Sequence, residues 1–537
     1  MRSLRPVLGF LVVILVLFTL STFSPWHLSV PSSALPPPLA GFPPSHDGPS
    51  SSHSELDLSD LPITHGEPTT EKKPSLPLPL QSGPVTARFR DLLLPHHGYV
   101  TSFPNSGWTN DVMATGYLLL LALLTRRTPI LPPYSPSHLP LEAGLIPFGE
   151  VFDVERLSEG MGIPILEWHD IKNLSTPSNT DPKTKGYYGG EKEEVGCWTL
   201  WPTQSLSGSE GKWHRGKWAD PMSLDISWTP VPFGRPAQPD RVDGLDWNLH
   251  AIADLGYPNG RREGIEKGKE WRTLLLDILS RKPGGDKLSE TIPDKIPIPN
   301  SKGNQLDPDD QLFCVDYLYY VSSRADDNHD EWWRESGMVW HTVGRHMHWT
   351  PRLRSMASEY ISHILDIPFV EGGPIPPYIA VHVRRSDFRN ICGSTPLEEC
   401  MAPLSAYATR VKEVRDELAR KGFEDTSEEY LKVIVLSDEP LRTPPNDPSY
   451  PAGSSEKWWG DVKNLGWFHV DHDTWKTEEK YGMWYTVFLD AAIQSYGIGF
   501  VGTAGSTMSS IALRRTEEWS GGAGRTVRWG SRDADAH

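Results

Sequence analysis

Strands and helices alternate in the hydrophobic pattern of the carboxyl-terminal third of the chain. Thr350 followed by Pro351 is a typical helix start, and apolar residues then recur at helical spacing to Ile364. Short apolar runs and amphipathic helical patterns follow in turn. The predicted strands cover residues 378–384, 431–437, 467–470 and 499–503, and the predicted helices cover 404–421, 478–496 and 506–515. This alternation predicts a parallel sheet that is covered by helices on both faces.

A similar pattern near residue 100 predicts part of a second sheet. An apolar run over 98–103 is followed by a turn, an apolar helical pattern over 111–124 and a short strand over 128–131. From about 172 to 310 the periodicity weakens, so we predict mostly loops with one helix over 270–279. The composition of this middle region fits a loop-rich acceptor site and fits a disordered insertion equally well.

The amino terminus predicts a membrane anchor. Arg2 and Arg5 precede an uncharged apolar run over 7–23, close to the roughly 17 residues that can span a bilayer. The basic residues place that end in the cytosol, although a cleaved signal peptide is an alternative. We therefore predict a signal-anchor helix in 1–23 and a single-pass type II protein of the Golgi or endoplasmic reticulum membrane, with its folded part in the lumen.

Behind the anchor, composition and length define three further segments. Residues 24–90 are rich in Pro and Ser, which indicates an extended stem. The whole chain has 537 residues, more than one hydrophobic core usually serves. We predict an amino-terminal Rossmann-like domain over 91–350, including the loop-rich insertion, and a carboxyl-terminal one over 351–537.

Charge and cysteine content narrow the class of protein. A net charge of −17 without a long basic run argues against a nucleic-acid partner. The four cysteines lack the CxxC spacing typical of zinc or redox sites and fit disulfides in a lumen, with three possible pairings. Asn173 begins an Asn-Leu-Ser acceptor triplet for N-glycosylation. The cysteines are Cys197, Cys314, Cys392 and Cys400.

The strand predicted over 378–384 carries the strongest candidate chemistry. Ligands of open parallel sheets bind beyond the carboxyl ends of the strands. Alternation puts His382 and Arg384 on one face, with Arg384 at the strand exit. A guanidinium in this place suits a diphosphate, and Asp387 can orient it. A surface ion-pair cluster is the alternative.

Two further strand ends carry polar groups. After the strand over 499–503, a small-residue loop leads to Ser506 and Thr507 at a helix start, where hydroxyls and free N–H groups can bind an anion. An ordinary glycine turn with Ser as N-cap would look the same. Asp438 ends the strand over 431–437 and can accept hydrogen bonds from a nucleotide base or ribose, or else cap a helix.

Together these segments resemble the GDP-fucose protein O-fucosyltransferase family. Its His-x-Arg-Arg-x-Asp segment is similar to residues 382–387, its Ser-Thr-containing motif to 502–507, and its amino-terminal Gly and Asn to 107–110. Asp490 lies on the preceding helix, as in relatives. The resemblance implies a GT-B-like α/β fold, in which two Rossmann-like domains face each other across a cleft.

The resemblance also implies an activity. The protein would transfer fucose from GDP-fucose to a hydroxyl of a protein or glycan acceptor, with inversion and without a metal. Arg384 would stabilise the charge on the departing diphosphate, and Asn110 would lie across the cleft near the reacting centre. The group that takes the acceptor proton is open, because Asp111 follows Asn110. The implied nucleotide-binding residues are His382, Arg384, Asp387, Asp438, Asp490, Ser506 and Thr507.

Other functions remain open at this stage. Asp471 and Asp473 form an Asp-x-Asp pattern, which holds a divalent metal in another class of glycosyltransferase. A lectin-like or cargo-binding protein without turnover is a further alternative. Its sugar-stacking surfaces would be Trp198, Trp201, Trp213, Trp218 and Trp228. Three histidines are better explained as structural residues than as zinc ligands, namely His341, His346 and His348.

Overall fold

The chain folds as a mixed α/β protein with two parallel sheets. The computed structural model describes residues 82–103, 106–136, 138–174, 192–200, 222–231, 249–256, 297–319, 321, 337–393, 395–445, 447, 450–531 and 533–535. Its strands are β1 (Tyr99–Thr101), β2 (Thr128–Leu131), β3 (Leu166–Glu167), β4 (Glu193–Thr199), β5 (Leu224–Pro230), β6 (Leu312–Cys314), β7 (Tyr378–Val383), β8 (Lys432–Ser437), β9 (Phe468–His469), β10 (Gly499–Thr503) and β11 (Ala523–Val527).

Helices cover these sheets. The helices of eight or more residues in the described ranges are α1 (Trp108–Thr125), α2 (Val154–Met161), α3 (Leu249–Gly256), α4 (Pro351–Ile364), α5 (Leu404–Arg420), α6 (Ser454–Asn464), α7 (Trp484–Tyr496) and α8 (Thr507–Ser520). Shorter helices are Phe89–Asp91, Leu141–Ala143, Phe148–Glu150, Trp168–Ile171, Met338–Thr342, Gly344–His346, Phe388–Ile391, Leu397–Cys400, His472–Trp475 and Thr477–Tyr481. None of the described helices is long and apolar enough to cross a bilayer, and the predicted anchor over 1–23 lies outside the described residues.

The two sheets have the parallel pairing that the alternation predicts. The first has four strands in the order β3-β2-β1-β6, and the second has five in the order β11-β10-β7-β8-β9. In the second sheet, His382 of β7 lies opposite Gly502 of β10 and Leu436 of β8. The predicted parallel sheet is confirmed, and β11 is an additional strand that the hydrophobic pattern did not indicate.

Burial on both faces explains the continuous apolar sequence of β7. Its residues Ile379, Val381 and Val383 pack in one cluster with Val414 and other apolar residues of α5. Ala380 lies on the other face of the sheet, in an apolar cluster that includes Phe488 of α7. The strand is therefore buried along its whole length, as expected for a parallel strand between two helical layers.

Aromatic contacts join the two halves of the chain. Trp108, at the start of α1, lies 5.2 Å from Phe488 of α7 and 6.0 Å from Trp349 between ring centroids. The Arg515 guanidinium of α8 lies 4.3 Å from the centroid of the same Trp349 ring. Helix α1 follows β1 of the first sheet, and these contacts hold its first turn against α7 and α8, which pack on the second sheet.

Most predicted elements are confirmed, with two changes at the carboxyl end. The strands over 128–131 and 499–503 agree with β2 and β10, and the Thr350 hydroxyl accepts the Leu353 amide as the predicted N-cap of α4. The helix predicted over 478–496 is interrupted at Gly482, whose φ of 100° ends one helix before α7 begins. Helix α8 continues to Ser520, beyond the predicted end.

The prediction of mostly loops between about 172 and 310 is wrong for three described segments, which are β4, β5 and α3. Strands β4 and β5 form a parallel pair of seven residues each, and both are largely buried. The disulfide between Cys197 of β4 and Cys314 of β6 joins this pair to the first sheet. The sequences on either side of β5 are rich in Gly, Pro and Trp, so the short alternation of Leu224, Ile226 and Trp228 was not recognised as a strand. The helix predicted over 270–279 lies outside the described residues.

The folded region also begins earlier than the predicted stem boundary. Phe89 is fully buried, and its amide donates to the Glu193 carboxylate at 2.9 Å. The last residues of the range 24–90 therefore belong to the folded region: the Phe89 amide bonds to the first residue of β4, 104 positions away, and the Phe89 side chain lies in one apolar cluster with Val195 and Cys197.

Candidate functional site

Arg384 lies directly beyond the carboxyl end of β7, as alternation predicts, and is held by two carboxylates. Its Nη2 donates to Asp387 Oδ2 at 2.7 Å, and its Nε lies 3.4 Å from Asp438 Oδ2. Burial acts to lower the pKa of Arg384, but the charges of Asp438 and Asp387 outweigh this effect and raise it. A quarter of the side chain is exposed, so a permanent and oriented cation faces the end of the sheet.

Asp438 organises the loop that follows β7. Its Oδ1 accepts the Arg385 amide at 2.7 Å and its Oδ2 accepts the Ser386 amide at 3.0 Å. Burial raises the pKa of Asp438, and the Arg384 charge opposes the shift. Both carboxylate oxygens are therefore occupied by the loop, and a direct contact of Asp438 with a nucleotide stays a prediction.

The second arginine of the motif points to a different partner. Arg385 Nε donates to Glu439 Oε2 at 2.9 Å, and Arg389 Nη2 donates to the same oxygen at 2.6 Å. The Ser455 hydroxyl donates to the other oxygen at 2.8 Å. The Glu439 side chain is fully buried, and these contacts lower its pKa against the effect of burial. Glu439 was not among the predicted site residues. Its only local signal in the sequence is that it follows Asp438 as a second acidic residue.

Two helix amino termini meet beside Arg384. The backbone amide of Arg384 donates to Thr503 Oγ1 at the end of β10, and α8 begins four residues later, at Thr507. Thr507 Oγ1 lies 2.7 Å from Thr109 Oγ1 in the first turn of α1. The positive ends of both helix dipoles therefore point to one region.

The loop between β10 and α8 is fixed at both of its ends. The Ser506 hydroxyl caps α8 by accepting the Ser509 amide. The Ala504 carbonyl accepts the Trp529 indole N–H at 2.8 Å, and the Trp529 ring stacks on Phe388 with 4.6 Å between centroids. This stacking joins the loop before α8 to the loop after β7, so the two loops that flank Arg384 are held together.

Asn110 lies next to this meeting point, on the side of the first sheet. Its Nδ2 donates to Ser106 Oγ at 3.1 Å, and the preceding residue is the Thr109 that contacts α8. The structure thus places Asn110 close to the predicted anion site. Asp111 is fully buried, and its Oδ1 accepts the Ser106 amide at 2.9 Å. Asp111 therefore fixes the turn before α1 rather than facing an acceptor.

His382 lies in the wall of the site below the first turn of α8. The residue is 2% exposed, and its Nδ1 lies 2.7 Å from Ser509 Oγ. Burial, together with the charge of Arg384, lowers the pKa of His382 to about 3. A Cβ atom on Gly502 would lie 2.6 Å from the Ser509 Cβ. Glycine at 502 is therefore required for α8 to approach β10 this closely.

Sequence reasoning also missed Thr503 and Tyr407, which support the Arg384 backbone. Thr503 Oγ1 accepts the Arg384 amide and donates to the His382 carbonyl at 3.2 Å. With its proton used in this way, it accepts the Tyr407 hydroxyl at 2.7 Å. Burial raises the pKa of Tyr407, so the phenol remains a donor. The only local signal was a Thr at the end of an apolar strand.

Asp490 is not part of this group of contacts. It lies on α7, where its Oδ1 is 3.0 Å from His472 Nε2, and His472 Nδ1 is 3.0 Å from Thr477 Oγ1. These contacts join α7 to the two short helices that precede it. The contact of Asp490 with the nucleotide stays a prediction.

Asp471 of the Asp-x-Asp pattern and His348 of the three histidines both have structural contacts. Asp471 accepts the Thr474 amide at 2.9 Å and the Thr474 hydroxyl at 2.8 Å, so both of its oxygens cap a short helix. Within the part of the chain that the structure describes, no group of three or more His, Cys, Asp or Glu residues could hold a metal ion. His348 stacks on Trp519 at 4.3 Å, and its burial lowers its pKa to about 4.

The tryptophans proposed for a lectin-like surface do not form one where the structure describes them. Trp198 and Trp228 are 2% and 1% exposed and belong to the apolar core. They cannot stack on a sugar, because their rings are covered by protein, and this part of the lectin prediction is wrong. The remaining tryptophans of that prediction lie outside the described residues, namely Trp201, Trp213 and Trp218.

The neutral state of buried His382 predicts a specific pH dependence of stability. Its folded pKa of about 3 is below the ordinary value of 6.5, so the unfolded state binds a proton that the native state does not. This contribution to stability is present above pH 6.5 and is lost as the pH falls towards 3. In urea unfolding from about pH 7.5 to about 4.5, we expect wild type to lose on the order of 2 kcal/mol relative to His382→Gln.

The exposed His363 provides a matched control for this measurement. His363→Gln makes the same substitution at an exposed position, so it shows how much of the change is specific to the buried site. A constant stability difference between wild type and His382→Gln across this pH range would contradict the prediction.

Comparisons with known proteins give structural similarities only. No family model and no curated protein matches the sequence. Among solved structures, POFUT1 in complex with GDP-fucose has a TM-score of 0.41 and 15% identity, covering 81% of this chain and 98% of that chain. Fucosyltransferase NodZ from Bradyrhizobium has a TM-score of 0.31 and 12% identity, covering 78% and 91%. TM-scores below about 0.5 do not establish a shared fold.

Proposed function

We propose that this protein is a glycosyltransferase that transfers fucose from GDP-fucose to a hydroxyl of a protein or glycan acceptor, with inversion and without a metal. The proposal rests on the position of Arg384, which is held by Asp387 and Asp438 at the end of β7, beside the amino terminus of α8. GDP-fucose is preferred to other nucleotide sugars because residues 382–387 resemble the fucosyltransferase motif. The fold would be of the GT-B type, with the donor on the second sheet and the acceptor at the first.

This arrangement suits a diphosphate for electrostatic reasons. The guanidinium offers N–H donors in a planar fork that matches phosphate oxygens. The first turn of α8 offers backbone N–H groups and the Thr507 hydroxyl, and the helix dipole favours negative charge at this end. Arg384 follows β7 and α8 follows the adjacent strand β10. A diphosphate bound between them would contact both without a metal ion.

The proposed reaction is a displacement at the sugar carbon. The acceptor oxygen forms a bond to C1 of fucose and gives up its hydroxyl proton to the departing diphosphate or to water, as the bond from C1 to the β-phosphate oxygen breaks and its electron pair leaves with GDP. Arg384 stabilises the growing charge on the diphosphate more strongly than the charge of the bound donor. The amide of Asn110 has no basic site for the acceptor proton, so its role is to position the acceptor or the sugar.

We place the protein in the Golgi or endoplasmic reticulum membrane, with the catalytic part in the lumen. The apolar run over 7–23 supports this location, as does the pairing of all four cysteines in disulfides, which persist in oxidising compartments. Asn173 of the glycosylation triplet is exposed. An enzyme that removes N-linked glycans should therefore shift the mass of the protein isolated from cells, and an Asn173→Gln variant should show no shift.

Calorimetric titration with nucleotides tests the donor site. The full chain should bind GDP and GDP-fucose with micromolar Kd, and EDTA should leave the affinity unchanged. GMP should bind at least about tenfold more weakly, because it lacks the second phosphate that Arg384 would contact. Loss of GDP binding in EDTA, or equal affinity for GMP and GDP, would refute the metal-free diphosphate site.

A further inference from the structure

A chain of hydrogen bonds connects β10, α8 and His382. Ser509 Oγ accepts the Thr503 amide at 3.1 Å and lies 2.7 Å from His382 Nδ1. The Ser509 amide in turn donates to the Ser506 hydroxyl. Gly502 leaves the space in which the Ser509 side chain lies. The Ser509 hydroxyl thus has two hydrogen-bond partners, the Thr503 amide and His382 Nδ1, and one proton to donate.

The number of protons decides how Ser509 and His382 bond. The Thr503 amide already donates to Ser509 Oγ, so the oxygen acts as an acceptor there. If His382 Nδ1 also carried a proton, the hydroxyl proton of Ser509 would need another acceptor, and the contacts of the described residues provide none. The arrangement that uses every donor has Ser509 O–H donating to an unprotonated Nδ1. The single proton of the neutral ring is then on Nε2.

The other ring nitrogen is available to a ligand. No described residue makes a hydrogen bond to His382 Nε2, although only 2% of the residue is exposed. His382 and Arg384 are two residues apart on one strand face, about 7 Å along the strand. An N–H donor in the wall of the site without a protein partner, near Arg384, is suited to an oxygen of the same anion.

We propose that Ser509 is a positioning residue that holds His382 in the Nε2–H tautomer, so that a neutral imidazole donates a hydrogen bond to the diphosphate. This inference rests on the proposed donor site. Without Ser509, the proton can move to Nδ1, and the lone pair of Nε2 would then face the phosphate oxygen. A buried contact between two acceptors is unfavourable, so GDP would select only the molecules with the correct tautomer.

A double-mutant cycle tests the role of Ser509. The side-chain amide of glutamine can replace the Nε2–H donor and has no tautomers, so His382→Gln removes the need for Ser509 in this role. In the His382 protein, Ser509→Ala frees both the tautomer and the orientation of the ring, so about one molecule in four would present an N–H to the diphosphate and GDP binding should weaken about fourfold. In the His382→Gln protein, the same Ser509→Ala change should weaken it by no more than about twofold. Equal losses in both proteins would mean that Ser509 only supports the start of α8, and would overturn the proposal.

The tautomer itself can be measured without nucleotide. In ¹⁵N-histidine NMR spectra of the full chain, the signals of His382 are those absent from His382→Gln. We expect a protonated Nε2 and an unprotonated Nδ1, and the reverse would overturn the proposal. This measurement separates the two hypotheses: if wild type binds no GDP, the proposed function fails, whereas the tautomer assignment still stands or falls on the spectrum.

Discussion

Replacement of Arg384 by alanine should raise the Kd for GDP about 100-fold and reduce the hydrolysis of GDP-fucose by a similar or larger factor. The change removes a guanidinium whose charge-assisted hydrogen bonds would each contribute about 1.5–3 kcal/mol. It also leaves Asp387 and Asp438 without their cation, so two negative charges would repel the diphosphate. Calorimetry gives the change in Kd, and release of fucose gives the change in turnover.

Two further variants distinguish charge, geometry and general damage. Arg384→Lys keeps the positive charge but loses the planar fork, so we expect an intermediate loss of about tenfold. Arg420→Ala removes an exposed arginine at the end of α5 and should leave GDP binding unchanged. An Arg384→Ala protein that binds GDP within about threefold of wild type would contradict the assignment of Arg384 to the diphosphate.

Donor hydrolysis also separates an enzyme from a binding protein of the same fold. An enzyme that exposes activated fucose to water should release it slowly even without an acceptor, whereas a protein that has lost turnover would bind GDP-fucose and leave it intact. Hydrolysis that is lost with Arg384→Ala would therefore support catalysis at this site. Tight binding without hydrolysis would favour the alternative without turnover.

Removal of the Cys197–Cys314 disulfide should produce the largest loss of stability among the cysteine variants. This bond closes a loop over a sequence separation of 117, compared with 8 for Cys392–Cys400. On the chain-entropy model, the long loop contributes about 5 kcal/mol and the short loop about 2.5 kcal/mol. The paired changes Cys197→Ala with Cys314→Ala should accordingly lower the urea midpoint by about twice as much as Cys392→Ala with Cys400→Ala.

The two disulfides should also differ in their effect on the site. Cys197–Cys314 joins β4 to β6 of the first sheet, whereas Arg384 follows β7 of the second sheet. Cys392–Cys400 lies close to the site, because the Cys400 carbonyl accepts the Gly530 amide at 2.7 Å beside Trp529. Under conditions in which both variants are folded, we expect weaker GDP binding only without the Cys392–Cys400 bond. An equal loss of stability in the two variants would contradict the loop-length argument.

Local pattern was sufficient for four of the five strands of the second sheet, with β11 as the exception. Strands β7 and β10 are apolar because helices cover both faces, and such runs are visible in the sequence without knowledge of their partners. Period-two alternation placed Arg384 at the strand exit, and the Ser506 cap is a contact within one turn of helix. These features depend on residues that are close in sequence, so the sequence by itself determined them.

The supports of the site depend on partners that are distant in sequence. Asp438 reaches the loop after β7, Ser509 reaches His382, and Thr507 reaches Thr109 across 398 positions. No local pattern marks such a pair, because Ser, Thr and Asp have the same appearance at a cap, in a turn or in a site. The sequence therefore indicated which polar residues are candidates but not which groups they bond.

The same reason explains the errors in the middle of the chain. Strands β4 and β5 are stabilised by each other, by burial in the first sheet and by a disulfide whose partner is 117 positions away. Their own residues mix Val, Ile, Trp and Thr, which favour strands, with Glu, Asp, Gly and Pro, which do not, so the net preference for a strand is weak. The sequence by itself determined the parallel α/β class, the position of Arg384 at the end of β7 and the start of α8. Only the tertiary structure decided the pairing of cysteines, the division of roles between Arg384 and Arg385, and the partner of His382, because each depends on contacts that form when distant segments pack together.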